Sequence, residues 1–231
     1  MNKILFLYKS RAAIKVYFYF FKRKLIDIFF KKKIINFKRN HQLLLKQKKI
    51  TNNYFSSHAF NFFYYLSKLK PNFDYLEIGS YEGNSAIFVA NSFSKSNIYC
   101  VDNWNKTEEY TNHISFSDIE NNFDFNSANY KNIHKIKNSS DNFFLENKKM
   151  FDTIYIDGYH HSSQVYKDCK NAWKFLKIHG YLICDDYIWN FYEDPKDNPC
   201  YAINKFLLEI KGRFKIEKVS SSQIYIQKKN L

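Results

Sequence analysis

From Asp74 onward the chain alternates between two patterns of apolar residues. Short runs rich in Ile, Val, Leu, Phe and Tyr predict buried strands, and segments with apolar residues three and four positions apart predict helices. The predicted strands are DYLEIG, NIYCVD, NIHKIK, FDTIYI, GYLIC, FKIEKV and SQIYIQ. Strands that alternate with helices and end in a hairpin predict an α/β fold with a doubly wound, mostly parallel seven-stranded sheet and an antiparallel C-terminal edge strand. A helix is also predicted over residues 56–69, and a polar loop over residues 103–130.

Acidic residues follow two neighbouring predicted strands within residues 151–189. Asp157 comes directly after FDTIYI, and Asp185 and Asp186 come directly after GYLIC. The segment between the strands is predicted to be a helix. A strand–helix–strand unit places its strands in parallel, so we expect all three carboxylates at one edge of the sheet, where open α/β folds bind ligands. The predicted helix has one apolar face, formed by Val165, Cys169, Ala172, Trp173 and Leu176.

This acidic cluster has a structural and a functional interpretation. A single Asp after a strand is often only a turn residue. Three carboxylates close together raise one another's pKa and destabilise the fold unless a cation compensates them. The functional interpretation, with a base such as His160 close by, is therefore favoured.

A glycine-containing turn follows the first strand. Gly79 and Gly83 allow a tight turn and a close approach of a ligand to the backbone, and the helix that follows offers free N–H groups. The second strand ends at Asp102, where a carboxylate can accept hydrogen bonds from ribose hydroxyls. The spacing Gly79-x-x-x-Gly83 departs from G-x-G-x-x-G, which disfavours a nicotinamide-dependent oxidoreductase.

The net charge of +14 is confined to the N-terminal segment. Residues 1–50 hold 15 of the 36 basic residues and one acid, Asp27, whereas residues 51–231 hold 21 basic and 21 acidic residues. We therefore predict a basic, aromatic, helical arm over residues 1–50 and one domain over residues 51–231. An amphipathic basic helix can pack on its own domain, bind an anionic membrane surface or, less consistently with this sequence, bind nucleic acid.

The sequence also suggests where the protein works. The longest apolar run in the arm, Val16–Phe21, is far too short to span a bilayer, which takes about 20 residues. The four cysteines show no metal-binding or redox spacing. We expect a cytoplasmic protein, with peripheral association to the inner face of an anionic membrane as an open alternative.

Three motifs together resemble those of class I S-adenosylmethionine-dependent methyltransferases. They are Glu-x-Gly-x-x-x-Gly-x-Ser after the first strand, an acid ending the second strand, and Asp-Gly-x-His followed by Asp-Asp-Tyr. The resemblance is closest to small bacterial methyltransferases with an IDGxH…DDYxW signature and covers Phe55 to Lys228. It implies a Rossmann-like fold whose glycine turn binds the methionine part of S-adenosylmethionine, with ribose at Asp102 and adenine near the turn after the third strand. The cofactor-binding residues implied in this way are Glu77, Gly79, Ser80, Gly83, Ser85, Asp102, Ser139 and Ser140.

The acidic edge is also similar to that of cation-dependent O-methyltransferases of the catechol and caffeoyl-CoA type. The positions that match their metal ligands are Asp157, Asp185 and Asp186, and an all-oxygen set of carboxylates favours Mg²⁺ or another hard divalent cation. The base of those enzymes is usually a lysine three residues after the first acid. This chain has His160 there, which suits proton removal near neutral pH. The resemblance thus implies Asp157 and His160 as catalytic residues.

The sequence predicts methyl transfer to the hydroxyl group of a small molecule or a saccharide. Two alternatives remain at this point: an RNA methyltransferase anchored by the basic arm, and a non-catalytic module that binds a membrane or nucleic acid. Trp104 and Trp189 are expected either in the substrate pocket or in the core. The sequence leaves the oligomeric state open.

Overall fold

The structure is a computed structural model that describes residues 25, 27–109, 115–220 and 222–230. About half of the predicted arm, residues 1–24, lies outside these residues. The chain divides into two compact parts: a first part that spans Asp27–Ser139, and a second part that includes Ser140–Leu231.

Helices and strands alternate through both parts. The first part contains α1 (Lys31–Leu45), α2 (Ala59–Leu66), β1 (Asp74–Ile78), α3 (Asn84–Ser92), β2 (Asn97–Asp102), α4 (Phe116–Ser127) and β3 (Ile133–Lys137). The second part contains α5 (Ser140–Glu146), β4 (Phe151–Ile156), α6 (Ser162–Phe175), β5 (Leu176–Cys184), a 3₁₀ turn (Pro195–Asp197), α7 (Pro199–Glu209), β6 (Phe214–Val219) and β7 (Ile224–Lys228).

The strands form one seven-stranded sheet in the order β3-β2-β1-β4-β5-β7-β6. Strand β2 is parallel to both β1 and β3, and β4 is parallel to β5. Strand β7 is antiparallel to β5 on one side and to β6 on the other, which makes β6 the edge strand. The predicted Rossmann-like fold, with its mostly parallel sheet and antiparallel C-terminal edge, is confirmed.

The predicted polar loop over residues 103–130 is wrong, because part of it forms helix α4. Two apolar side chains four positions apart, Ile119 and Phe123, are buried at 2% and 0% exposure. The Phe123 ring packs on Trp104 with 5.0 Å between ring centroids. Phe116, Ile119 and Phe123 are spaced by three and four residues within a segment rich in polar residues, and the prediction did not use this spacing.

The core of the second part follows the predicted pattern. Val165, Cys169, Ala172 and Trp173 of α6 are buried on one face of that helix. The Cys169 and Cys184 sulfur atoms are 3.8 Å apart, and all four cysteines are free and buried. These thiols therefore act as small apolar side chains in the core.

Helix α1 belongs to the C-terminal half of the predicted arm. One face of this helix packs on the rest of the first part. Phe37 lies 4.8 Å from Phe63, measured between ring centroids. His41 is 2% exposed, its Nδ1 lies 2.9 Å from Ser56 Oγ, and its ring meets Phe88 edge-on. Among the described residues, no helix has the length and apolar character needed to cross a membrane.

Burial of His41 should make folding stability depend on pH. Desolvation lowers the pKa of His41 to about 4, from 6.5. The unfolded chain therefore takes up the proton first as the pH falls, and stability present above pH 6.5 is lost progressively down to pH 4. The full loss is about 3 kcal/mol.

Urea unfolding of the wild type and of His41→Phe, at pH 7.5 and pH 5, checks this prediction. The difference in unfolding free energy between the two proteins should shrink at pH 5, because the variant has no buried imidazole to protonate. His134→Phe is the control, since His134 is exposed on β3. A constant difference between wild type and His41→Phe at both pH values would contradict the prediction.

Candidate active site

The turn after β1 has a backbone that few side chains tolerate. Gly79, Tyr81 and Gly83 have φ angles of 86°, 49° and 81°, all in the left-handed region. A Cβ atom at Gly83 would lie 3.0 Å from the Phe123 ring, so both the φ angle and the space require glycine there. The Gly83 N–H donates to the Ser80 carbonyl at 2.7 Å and closes the turn at the start of α3.

Asp102 holds this turn against the end of β2. Its Oδ2 accepts the backbone N–H groups of Ser80 and Tyr81, both at 2.9 Å, and its Oδ1 accepts the N–H of Trp104 at 2.7 Å. Burial raises the pKa of Asp102, and these N–H groups counteract the rise because they stabilise the ionised form. A carboxylate offers about four acceptor sites. The predicted contact with ribose would use an acceptor site of Asp102 that none of these three hydrogen bonds occupies.

Glu77, at the end of β1, is wholly buried. Its Oε2 accepts hydrogen bonds from Ser85 Oγ at 2.6 Å and from Tyr75 Oη at 2.9 Å. Its Oε1 and the Oγ of Ser80 are buried and make no hydrogen bond of normal length and angle with any described residue. Burial raises the pKa of Glu77 to about 7. The Ser80 hydroxyl still favours the ionised form of Glu77, so the two polar groups are close to each other beside the left-handed turn.

A buried network that the sequence did not predict holds the turn from the other side. The Glu82 carboxylate accepts hydrogen bonds from the Thr51 backbone N–H at 2.7 Å and from Asn122 Nδ2 at 2.9 Å. The Asn126 amide, 0% exposed, donates to the Glu82 and Lys49 carbonyls at 2.9 Å each and accepts the Lys49 N–H at 2.7 Å. Asn122 and Asn126 lie on α4, so the error over residues 103–130 hid this network.

Trp104 also packs against the turn after β1. It is 4% exposed, and its indole N–H donates to the Tyr81 carbonyl at 2.9 Å. Of the two expectations for Trp104, the structure places the residue in the core beneath the turn.

The predicted adenine neighbours have separate surroundings. The Ser139 backbone N–H donates a hydrogen bond to Asn138 Oδ1 at 2.9 Å. Ser140 begins α5, and its hydroxyl accepts a hydrogen bond from Gln164 Nε2 at 3.1 Å. The same amide lies 3.1 Å from Oδ1 of Asp168, a carboxyl group whose pKa burial raises to about 7.

Three of the predicted residues converge in the second part, after β4 and β5. His160 Nε2 lies 2.7 Å from Asp186 Oδ2 and 3.8 Å from Asp157 Oδ1. One ligand atom from each of these three residues lies within 4.8 Å of the others, which is close enough to hold a metal ion. Asp186 has a φ angle of 52°, a strained conformation for a residue other than glycine. The strain turns the second carboxylate of the Asp185–Asp186 pair in a different direction from the first.

Asp185 is bound into the wall of the site. Its Oδ2 accepts hydrogen bonds from Gln223 Nε2 at 2.7 Å and from the Tyr155 hydroxyl, and its Oδ1 accepts the Asp186 N–H at 2.8 Å. The structure thus groups His160, rather than Asp185, with Asp157 and Asp186. The ligand set predicted from the sequence, with Asp185 in it, stays a prediction.

Tyr155 links two of the carboxylates. Its hydroxyl lies 2.8 Å from Asp157 Oδ2 and also contacts Asp185 Oδ2. A phenol has one proton, so it can donate to only one of these oxygens at a time. Burial and the Asp185 charge raise the pKa of Asp157 well above its usual range, while the hydrogen bond with His160 opposes the rise. Either a proton or a bound cation can relieve this crowding.

Aromatic rings lie beside the acidic cluster. The Trp189 ring is 4.8 Å from that of His160, and Phe191 stacks on Trp189 at 5.2 Å with 7° between the ring planes. Tyr192 contacts the rings of both Trp189 and His161. Phe191 is 50% exposed. Trp189 therefore lies beside His160, and its place in a substrate pocket stays a prediction.

Residues 76–187 match the family model described as a methyltransferase domain. No curated protein matches the chain. Among solved structures, the O-methyltransferase from Bacillus cereus in complex with SAH has a TM-score of 0.55 at 15% identity and covers 93% of this chain and 100% of its own. TomG from Streptomyces achromogenes, an O-methyltransferase in complex with SAM, has a TM-score of 0.57 at 11% identity, with 89% and 96% covered. A proposed caffeoyl-CoA O-methyltransferase from Staphylococcus aureus has a TM-score of 0.56 at 16% identity, with 90% and 98% covered.

At these identities the structural likenesses show the fold alone. The methyltransferase-domain match spans the glycine turn, Asp102 and the acidic cluster, and the solved structures show the Rossmann-like fold that was predicted with it. The predicted enzyme class is confirmed, and the non-catalytic alternative is set aside.

The network around Glu82 should affect cofactor affinity. Asn126→Ala removes three hydrogen bonds, so we expect the dissociation constant for S-adenosylmethionine to rise about tenfold, with a loss of about 2 kcal/mol in unfolding free energy. Calorimetry and urea unfolding measure the two quantities. Asn132→Ala is the matched control, because the Asn132 amide also donates to a backbone carbonyl, that of Ser96, at 3.0 Å.

The control should lose stability and keep its affinity for the cofactor. If Asn126→Ala proves too unstable, Thr51→Val offers a milder test, since it removes the 3.0 Å hydrogen bond from the Thr51 hydroxyl to Glu82 and keeps the bond from the Thr51 N–H. Unchanged cofactor affinity in both variants would show that the network is only structural.

Proposed function

We propose that the protein transfers a methyl group from S-adenosylmethionine to a hydroxyl group of a small molecule or saccharide. The observation that carries this proposal is the convergence of Asp157, His160 and Asp186, with ligand atoms within 4.8 Å of one another, beside partly exposed aromatic rings. Carboxylates can bind a cation or a hydroxyl proton, and aromatic faces bind sugar or aromatic rings by contact.

The first part offers a suitable binding site for the cofactor. Within it, the turn and its buried polar atoms are proposed to bind the methionine part, through Glu77, Gly79, Ser80, Gly83 and Ser85. Glu77 Oε1 makes no hydrogen bond of normal length and angle with the described residues, and an ammonium group is a donor that also carries the compensating charge. Asp102 is proposed for the ribose, and Ser139 and Ser140 for the adenine.

A divalent cation is proposed at the acidic cluster. Asp157 and Asp186 have the geometry of ligands, and the predicted third carboxylate, Asp185, would reach the cation only by exchanging one of its present donors. A bound cation would supply positive charge that lowers the pKa of an acceptor hydroxyl. This contribution fits the charge excess of the cluster and the raised pKa of Asp157.

His160 is proposed as the general base. The ring nitrogen that does not face Asp186, Nδ1, would accept the proton of the acceptor hydroxyl, while Nε2–H donates to the Asp186 carboxylate 2.7 Å away, which would stabilise the imidazolium that results. The acceptor oxygen then forms the bond to the methyl carbon, and the carbon–sulfur bond breaks with its electron pair retained on sulfur. The half-buried rings of Trp189 and Tyr192 would orient the acceptor and limit access of water.

Two further expectations from the sequence remain proposals. A cytoplasmic location is consistent with a methyltransferase, and contact of residues 1–50 with an anionic membrane would decide where the enzyme meets its acceptor. RNA as the acceptor would require these residues to anchor nucleic acid.

Cofactor binding should release a proton from Glu77. The pKa of Glu77 is about 7 in the free protein, so this carboxyl group is about half protonated at pH 7. A cationic ammonium group beside Oε1 would lower the pKa, and binding at pH 7 should release up to about half a proton. Calorimetry in buffers of different ionisation enthalpy measures the release. Glu77→Gln should abolish it, and equal release by wild type and Glu77→Gln would place the proton elsewhere.

Asp157 should matter for chemistry and not for cofactor affinity. We expect Asp157→Ala to lower turnover at least about a thousandfold, because it removes a proposed cation ligand, and to leave the dissociation constant for S-adenosylmethionine within about twofold. Calorimetric titration with Mn²⁺ should give a binding heat for the wild type that the variant lacks. Asp152→Ala, a change at the other end of β4, serves as the control. A large loss of cofactor affinity in Asp157→Ala would contradict the assigned role.

A further inference from the structure

Helix α1 and the residues just before it have two apolar faces. The inner face packs on the first part through Phe30, which lies 5.6 Å from Phe60 between ring centroids, through Phe37 and through buried His41. A surface helix needs one such face to remain folded on its domain. The second apolar face therefore requires another explanation.

The outer face consists of Ile28, Phe29, Ile35 and Leu43, with exposed fractions of 70%, 88%, 54% and 49%. Ile28, Ile35 and Leu43 are seven and eight residues apart, which places them along one side of the helix, and Phe29 is next to Ile28. Phe29 is the most exposed of the large apolar side chains in the part of the chain that is described. Four large apolar side chains in one row are more than the isolated exposed residues of an ordinary surface.

Basic side chains lie around this row. Segment 27–46 carries six exposed basic residues and a single acid, Asp27. The basic residues are Lys31, Lys32, Lys33, Lys38, Arg39 and Lys46. Long basic side chains can extend their charges outward while their methylene groups follow an apolar surface.

The charge distribution discriminates between occupants of this face. In a twofold dimer, the same face meets itself, so six basic residues would face six others without compensation. Nucleic acid would satisfy the charges, but its phosphates would leave aliphatic Ile28, Ile35 and Leu43 in contact with polar groups. An anionic bilayer offers both complements at once: negative headgroups for the lysines and acyl chains for the apolar row.

We propose that the outer face of α1 and the preceding turn of helix bind the surface of an anionic lipid bilayer. Phe29 and Ile28 enter the boundary between headgroups and acyl chains, and the basic residues bind the headgroups. The helix lies in the plane of the interface, with Phe30, Phe37 and His41 still packed on the protein. This binding does not depend on methyl transfer, and its test requires neither cofactor nor acceptor.

The test measures co-sedimentation of the full-length protein with vesicles of phosphatidylcholine, with and without phosphatidylglycerol. We expect binding only to the anionic vesicles and weaker binding as salt rises. Ile28→Ser combined with Phe29→Ser should lower the partition coefficient at least about tenfold. Lys32→Gln, and likewise Arg39→Gln, should each lower it about fivefold. Leu145→Ser is the matched control, because Leu145 is 84% exposed on α5 and lies outside the proposed face.

Each other outcome overturns the proposal. Equal binding by the wild type and the Ile28/Phe29 variant would show that this face does not contact lipid. Binding to RNA that competes with vesicles and survives the Ile28/Phe29 change would identify a nucleic-acid surface. Concentration-dependent dimerisation lost in the same variant would assign the face to a second copy. The thermal midpoint of the Ile28/Phe29 variant should match that of the wild type, since both side chains are exposed.

Discussion

Carboxylates that are partly or wholly buried at the ends of strands are the constraint on which the turns around the candidate site depend. A buried carboxylate is stable only if N–H groups, hydroxyl groups or a cation replace the water that it has lost. Asp102 meets this requirement with three backbone N–H groups, and in doing so it holds the turn after β1 in a left-handed conformation. Asp185 meets it with Gln223, Tyr155 and the Asp186 N–H. The acids thus determine the backbone around them.

The same requirement distinguishes the acids by how many of their acceptor sites the protein itself fills. Asp185 and Asp102 have most of their acceptor sites filled from within the protein. Glu77 Oε1 makes no hydrogen bond of normal length and angle with the described residues, and Asp157 shares the single proton of Tyr155 with a second carboxylate. The pKa values of both groups are raised, and both groups lie where cofactor and cation are proposed. Incomplete internal compensation is therefore a physical mark of the candidate site.

Prediction from the sequence succeeded where a residue's role follows from its place in the strand–helix pattern. Parallel β4 and β5 necessarily bring Asp157 and the Asp185–Asp186 pair to one edge, and the glycine spacing predicted the turn before α3. It failed for α4, where the helical spacing of Phe116, Ile119 and Phe123 lies within a segment rich in polar residues. The network of Asn126 and Glu82 was missed together with α4. Nothing in the local sequence indicates that the Asn126 amide will be buried against the Glu82 carbonyl, 44 residues earlier in the chain.

The sequence by itself determined the fold and the edge at which the acids gather, because these follow from apolar periodicity and strand order, and its motifs indicated the enzyme class through their resemblance to known methyltransferases. Only the tertiary structure decided what each acid does. Asp185 and Asp186 are adjacent and chemically identical, yet one is bound by Gln223 and Tyr155 and the other pairs with His160. That division depends on the left-handed φ of Asp186 and on a glutamine nearly forty residues along the chain. Hydrogen-bond donors contributed by distant segments set the roles, and spacing along the chain does not encode which donors will arrive.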